Sequence, residues 1–321
     1  MVKCLFRGKL VIEAIGLIIN STDCYAATTL VDCTNSSTVQ TALKNAAHGD
    51  TVKCNPGGTY TWSTTVAIPS TKNITLDGNG AIMTGKITLP STANYYARVT
   101  NFTFRTSDNA IVVTGTGLDN KPWRIDHSTF DPVGTYIGSM IETWSGPGLI
   151  DNCNFINLPN YKETIHNMGY GWNKVDGWTN EAVPGSPKAI YIEDSTATAM
   201  YTGKPYNGTC LSQSYYGART VVRNTTLNTV MVDNHGNRTS YSGRWMELYN
   251  NTITGGSLYC IRGGSGIVFG NRGAQSIFFV NEPTTDGRDN TEYGVGDGQN
   301  NVYTPQIHGM PIISHMNTRI H

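Results

Sequence analysis

One short pattern constrains this chain more than any other: an apolar residue, any residue, then Asn, Asp or His, two further residues and a second apolar position. It falls at Asn101 in VTNFTF, His127 in IDHSTF, Asn152 in IDNCNF, Asp194 in IEDSTA, Asn224 in VRNTTL and Asn250 in LYNNTI, with a degenerate copy at Asn271 in FGNR. The intervals between these positions are 26, 25, 42, 30, 26 and 21 residues. A repeat of this length built from short strands and turns specifies a solenoid. The chain lacks the helix content of ankyrin or tetratricopeptide arrays and the Leu spacing of leucine-rich repeats. An all-β, right-handed, single-stranded parallel β-helix remains, its coils stacked at the ~4.8 Å strand spacing. The flanking apolar positions then point inward. The Asn, Asp or His marks a bend where left-handed geometry is needed, and its amide is expected to hydrogen-bond to the next coil as a ladder.

Composition agrees. Only 14% of the 321 residues are charged, against ~25% in an average globular protein. Thr, Asn and the 35 glycines suit strands and tight turns. With a formal net charge of +0, no basic excess points to nucleic acid. Lys3, Arg7 and Lys9 precede the apolar run Leu10–Ile19, and Ala26 and Ala27 follow. Residues 1–26 therefore read as a secretory signal. The run is too short to span a bilayer, which takes about 20 residues, so a secreted chain with no membrane partner is expected. Residues 27–321 read as one domain.

Within that domain residues 35–49 are expected to form a capping helix, with Ser37 as N-cap, Gln40 completing a capping box and Gly49 ending it. Residues 50–275 carry the coils, and 276–321 are irregular. Of the seven cysteines, Cys33 and Cys54 flank the helix and are placed to pair in an oxidising compartment, while Cys153 sits in the motif as a small buried hydrophobe. Sequons occur at Asn35, Asn73, Asn207 and Asn237, and also at Asn101, Asn224 and Asn250, where the ladder should make them inaccessible.

Strand alternation assigns directions. The outward position before each bend reads Asp126, Asp151, Glu193, Arg223, Tyr249 down successive coils. Three stacked carboxylates repel one another. Hydration on a solvated face, a Glu193–Arg223 pair, or a Ca²⁺ ion held by Asp126, Asp151 and Glu193 would offset that. A cation that neutralised a uronate carboxylate would acidify the adjacent carbon proton, which is the logic of a polysaccharide lyase. Arg223, or the group His235, Arg238, Arg244 and Glu247, would then serve as base or carboxylate clamp. The long intervals hold Tyr161, His166, Tyr170, Trp172 and Trp178, then Tyr201, Tyr206, Tyr215 and Tyr216. Of these, Tyr161, His166, Trp172 and Trp178, with Tyr191 and Tyr249 of the coils, are candidate sugar-binding residues, or else pack their loops onto the coil.

WRIDHSTF resembles the W-I-D-H segment of the pectate-lyase-like, right-handed parallel β-helix superfamily. NRTSYSGRWMELYNN is loosely similar to that superfamily's arginine-bearing strand and paired-Asn motif. The resemblance spans residues 35–275. By position Asp126 matches the motif aspartate, and Arg238 or Arg244 the arginine region. It implies a secreted protein acting on or binding polysaccharide, with calcium in the lyase members, while hydrolases, tailspikes and adhesins share the architecture. Two expectations stand: a lyase or related carbohydrate-active enzyme, including a glycoside hydrolase, on acidic glycans; or a non-catalytic adhesive β-helix, a homo-oligomer or filament subunit.

Overall fold

The computed structural model describes residues 26–279, apart from positions 116, 118, 135–137, 145, 160–161, 170–183, 201–208, 236–242 and 262–264, together with residues 313–314. The expected signal segment up to residue 25, with Cys4 and Cys24, lies outside the described residues, as do Tyr161, Tyr170, Trp172, Trp178, Tyr201, Tyr206 and Arg238, and the sequons at Asn207 and Asn237.

The chain is a parallel β-helix. Among the described residues every strand pairing is parallel, and each strand pairs with its counterpart one coil away. Each coil contributes to three faces. Sheet I contains Ile87–Pro90, Ile111–Thr114, Ile141–Thr143, Lys162–Asn167, Thr209–Ser214 and Met231–Asn234. Sheet II contains Thr28–Val31, Thr51–Cys54, Trp123–Asp126, Gly148–Asp151, Ile190–Glu193, Arg219–Arg223, Trp245–Tyr249 and Ser265–Phe269. Sheet III contains Thr129–Phe130, Asn154–Leu158, Thr196–Ala199 and Thr226–Asn228. The long strands Ile74–Thr84 and Ala97–Phe104 bend from sheet II into sheet III.

Stacking in register explains the motif's first apolar position. Val52, Leu76, Val99, Ile125, Ile150, Ile192, Val222, Leu248 and Val268 are mutual Cα partners and form one fully buried column. The second apolar position does the same on sheet III. There Phe104, Phe130 and Phe155 stack face to face, with centroids 5.2 and 5.0 Å apart. Gly148 has a local reason: a Cβ there would lie 2.2 Å from the Trp123 ring, which fills that space inside the coil.

The bend residues behave as expected in one respect and differently in another. Asn101, His127, Asn152, Asp194, Asn224 and Asn250 all adopt left-handed backbone, with φ between 48° and 58°. They do not form an amide ladder with one another. Asn101 donates to Asp77 of the neighbouring coil, and Asn152 to its own neighbour Asp151. The ladder runs one residue later. The Ser128 hydroxyl accepts from the Phe102 N–H, Ser195 from Cys153, the Asn251 carbonyl from Thr225 and Asn271 from Asn251. These positions are buried, whereas Asn152, Asn224 and Asn250 are exposed. The sequons at Asn224 and Asn250 are therefore accessible, contrary to expectation. Asn271 is likewise one place out: it pairs with the ladder position Asn251, and Gly270, at φ 64°, makes the bend.

The helix spans Ser36–Asn45. Asn35, not Ser37, is the N-cap: its side-chain oxygen accepts from the Ser37 N–H at 2.8 Å and from the Ser37 hydroxyl at 2.9 Å, so the helix starts one residue before Ser37. Gln40 does not close a capping box. Its side chain spans to Ala67, donating to that residue's carbonyl and accepting its N–H. The helix ends at Ala46, and Gly49 sits in the turn beyond. Strands begin before the helix, at Thr28, and continue past 275 to Phe279. Cys33 and Cys54 form a disulfide that ties the helix's N-terminal approach to the coil beneath it. Cys153, Cys210 and Cys260 are buried and lie outside this disulfide. No helix among the described residues is long and apolar enough to cross a membrane.

Candidate functional site

The outward file on sheet II has the predicted vertical order. Asp126, Asp151, Glu193, Arg223 and Tyr249 are Cα partners coil by coil. What offsets the carboxylate repulsion is a second outward file two residues back, which carries Arg98 and Arg124. Arg98 donates Nε to Asp126 at 3.0 Å, and Arg124 grips Asp151 through Nε and Nη2 at 2.9 and 2.7 Å. Arg124 also lies 3.2 Å from Asp126, and Arg223 pairs with Glu193. Bidentate guanidinium–carboxylate pairing is the strong, geometrically specific form of ion pair. Asp126 is completely buried beneath it and Asp151 is nearly so, so neither is a solvated carboxylate. Burial alone would raise the Asp126 pKa, but hydrogen bonds from Arg98 and Thr100 and the Arg98 and Arg124 charges outweigh it and hold the pKa below the ordinary range.

Guanidinium groups occupy both oxygens of Asp126 and of Asp151 and one of Glu193, and among the described residues no group of three or more His, Cys, Asp or Glu is close enough to hold a metal. Further along the file, Arg223 donates to the Tyr249 hydroxyl at 3.0 Å and lies over the Tyr191 ring at 4.9 Å, while Tyr249 stacks on Phe269 at 4.8 Å. Burial, with the negative charge of Glu247 adding to it, pushes the Tyr191 phenol up to about 12. Glu247, expected to be catalytic, is buried and accepts from the Gly185 N–H and the Trp245 indole. It fastens the incoming segment to the coil. Arg244 is also buried, and desolvation lowers its pKa to about 10, which leaves it a cation at neutral pH.

The second assembly lies where sheet I turns into sheet II. Glu142, His166, Gln213 and Asp233 are Cα partners on the outward face of sheet I. Beyond the strand ends the Tyr215 ring sits between two imidazoles. It meets His166 edge-on at 5.2 Å and stacks on His235 at 4.5 Å. Tyr215 is held there by donating its N–H to the Asn167 carbonyl, as His235 is by donating to Ser214. All three side chains are half-exposed. Burial pulls the His166 pKa down, against the raising influence of Glu163 and Glu142. Arg219 and Arg244 follow directly at the start of the next strands, the Arg244 N–H bonding to Ala218 in the Tyr215 turn. The connections at this corner vary most, and residues 168–189 and 235–244 are the longest that flank the cluster.

Sequence reading named His166 and His235 separately and missed that Tyr215 joins them. The signal was present: aligning TIHN, SQSYY and VDNH by coil puts the two histidines and the tyrosine at one strand end.

No family model matches the chain, and no curated protein matches it. Among solved structures, an alginate lyase from Paenibacillus sp. str. FPU-7 is similar, with 15% sequence identity over 79% of this chain and 98% of that one and a TM-score of 0.39.

Proposed function

We propose that this chain acts on acidic polysaccharide by β-elimination at the corner between sheets I and II. The observation that supports this best is the Tyr215 ring flanked by His166 and His235, with Arg219 and Arg244 at the entry to the strands that follow. Breaking a glycosidic bond beside a uronate carboxylate needs three things. A base removes the proton on the carbon next to the carboxylate; positive charge stabilises the electrons left behind; an acid protonates the departing oxygen as the carbon–carbon double bond forms. A histidine whose pKa is lowered by burial is neutral near pH 7 and accepts a proton. Tyr215 is the proton donor within reach of the same substrate. Arg244 and Arg219 supply the positive charge. The Cys33–Cys54 disulfide favours an oxidising, extracellular setting.

The test is incubation with polygalacturonate, alginate and other polyuronates while following ultraviolet absorbance of the new double bond. Tyr215→Phe is expected to lower turnover by about 10²-fold or more, the usual worth of one acid–base group. No product from any polyuronate would end the lyase reading. The saturated ionic file with Tyr191 and Tyr249 favours a second reading, a surface protein that holds glycan without cutting it. Retention of glycan with no product would select that one.

A further inference from the structure

The corner that carries Tyr215 is continuous along the solenoid. Its backbone is stitched coil to coil: Gly49 N–H to the Asn73 carbonyl, Ile74 to Tyr96, Lys121 to Thr92 and Tyr215 to Asn167. Toward the N-terminal end this line presents a second group of rings. His48 meets Tyr95 edge-on at 5.9 Å, and the Lys121 ammonium lies 5.6 Å over the Tyr96 ring. The rings are held in place from behind. Tyr95 donates its N–H to the Thr92 hydroxyl, and Tyr96 donates its own to the Asn73 side chain. Tyr96 is 47% exposed, one of the few large apolar side chains that the coil leaves in water.

From this geometry we infer that Tyr95, Tyr96 and Lys121 form a remote binding subsite for an anionic polysaccharide whose chain runs along the solenoid axis to the Tyr215 cluster. It rests on the proposed function for its occupant. Flat, amphipathic rings match the faces of pyranoses, and Lys121 matches a uronate carboxylate. The sheet I strands ending at Pro90, Thr114, Thr143, Asn167 and Ser214 step from one group to the other. Those four steps at ~4.8 Å make about 19 Å. A sugar residue is about as long as a coil is tall, so a chain lying on this corner meets one coil per sugar. Two separated contacts on one polymer raise its affinity by avidity with no new contact at either.

The experiment reads binding without turnover: electrophoresis of the full chain through gels containing polygalacturonate or alginate, with a neutral glucan as control. Tyr95→Ala/Tyr96→Ala is expected to weaken polymer binding about tenfold or more, the order expected when one of two linked sites is lost. Lys121→Ala should weaken binding to the acidic gels and leave the neutral control unchanged. Thermal midpoints check that the variants fold. Where cleavage is observed, short oligomers that cannot span the corner should be cut by the double variant as by the wild type. Undiminished retardation of a folded double variant overturns the inference, as does wild-type migration unaffected by any acidic polymer. Absence of cleavage alone sinks only the lyase reading, since retardation needs no chemistry.

Discussion

Phe130→Ala is the sharpest test of the stacked-coil interior. The ring is fully buried and sandwiched between Phe104 at 5.2 Å and Phe155 at 5.0 Å, with interplanar angles of 19° and 12°. Truncating a buried phenylalanine costs about 3–5 kcal/mol, depending on how far the walls collapse. Here collapse is blocked, because Thr129–Phe130 is hydrogen-bonded in register to the coils on both sides. Both aromatic contacts vanish together, each worth ~0.5–1.5 kcal/mol beyond area burial. A loss of about 4 kcal/mol is expected. Phe130→Leu refills most of the volume without the stacking and should cost about 1–2 kcal/mol. Urea unfolding measures both through the midpoint, with the slope unchanged. Hydrogen exchange should show protection falling first around residues 104–155, since a solenoid's coils lean mainly on their neighbours. A loss under about 1 kcal/mol, the range of a surface substitution, would refute the interior described here.

Gly148→Ala places a methyl group 2.2 Å from the Trp123 ring and should destabilise by about 1–3 kcal/mol through overpacking, seen as a lowered thermal midpoint. Reducing the Cys33–Cys54 disulfide, whose partners are 21 residues apart, should cost about 3 kcal/mol, read as a drop in denaturation midpoint with dithiothreitol. In acid, Asp77 and Asp126 both have depressed pKa values: burial would raise each, but Lys53, Asn101 and Asn79 outweigh it for Asp77, as Arg98 does for Asp126. The unfolded chain takes up these protons first, so their contribution is complete above an aspartate's ordinary value of 3.8 and declines as pH falls below it. Asp126→Asn should flatten that part of the stability–pH curve, measured by urea midpoints between neutral and acid pH.

Much of the fold was legible because the motif fixes one bend per coil, and a bend fixes register. Asp126, Asp151, Glu193, Arg223 and Tyr249 could be stacked from spacing alone, since each precedes a left-handed residue by one place. What the motif did not say was which atom carries the inter-coil hydrogen bond. Asn invites an amide ladder, yet the bend turns that side chain toward solvent, and the following residue, already inside, accepts the N–H with whatever short polar group it has: Ser128, Ser195 or Asn251. Of the neutralisers of the acidic file, Arg223 was legible from spacing, whereas Arg98 and Arg124 were hidden. Arg124 lies two residues before Asp126, but its closer partner is Asp151 in the next coil, a choice that needs side-chain reach as well as direction.

The same reasoning explains why the chemistry collects where it does. In the coils that carry the motif, the bend from sheet II to sheet III is a single left-handed residue followed by a buried ladder position, and one inserted residue there would turn the interior column outward. A longer bend, Asp77–Ala81, takes two extra residues, which keep the same side chains inward, so this corner mainly specifies structure. The bend from sheet I to sheet II is stitched between coils at its edges, yet its length differs from coil to coil. The connection there numbers residues 144–147 in one coil and 168–189 in the next, and the strands on either side stay in register across both. Side chains can be added there without cost to the coil, and stacking brings those of distant sequence numbers within ring contact, as Tyr215 and His166 are. A parallel β-helix thus separates its two tasks by corner, and Tyr95, Tyr96, Lys121, Tyr215 and His235 all lie on the one that is free to vary.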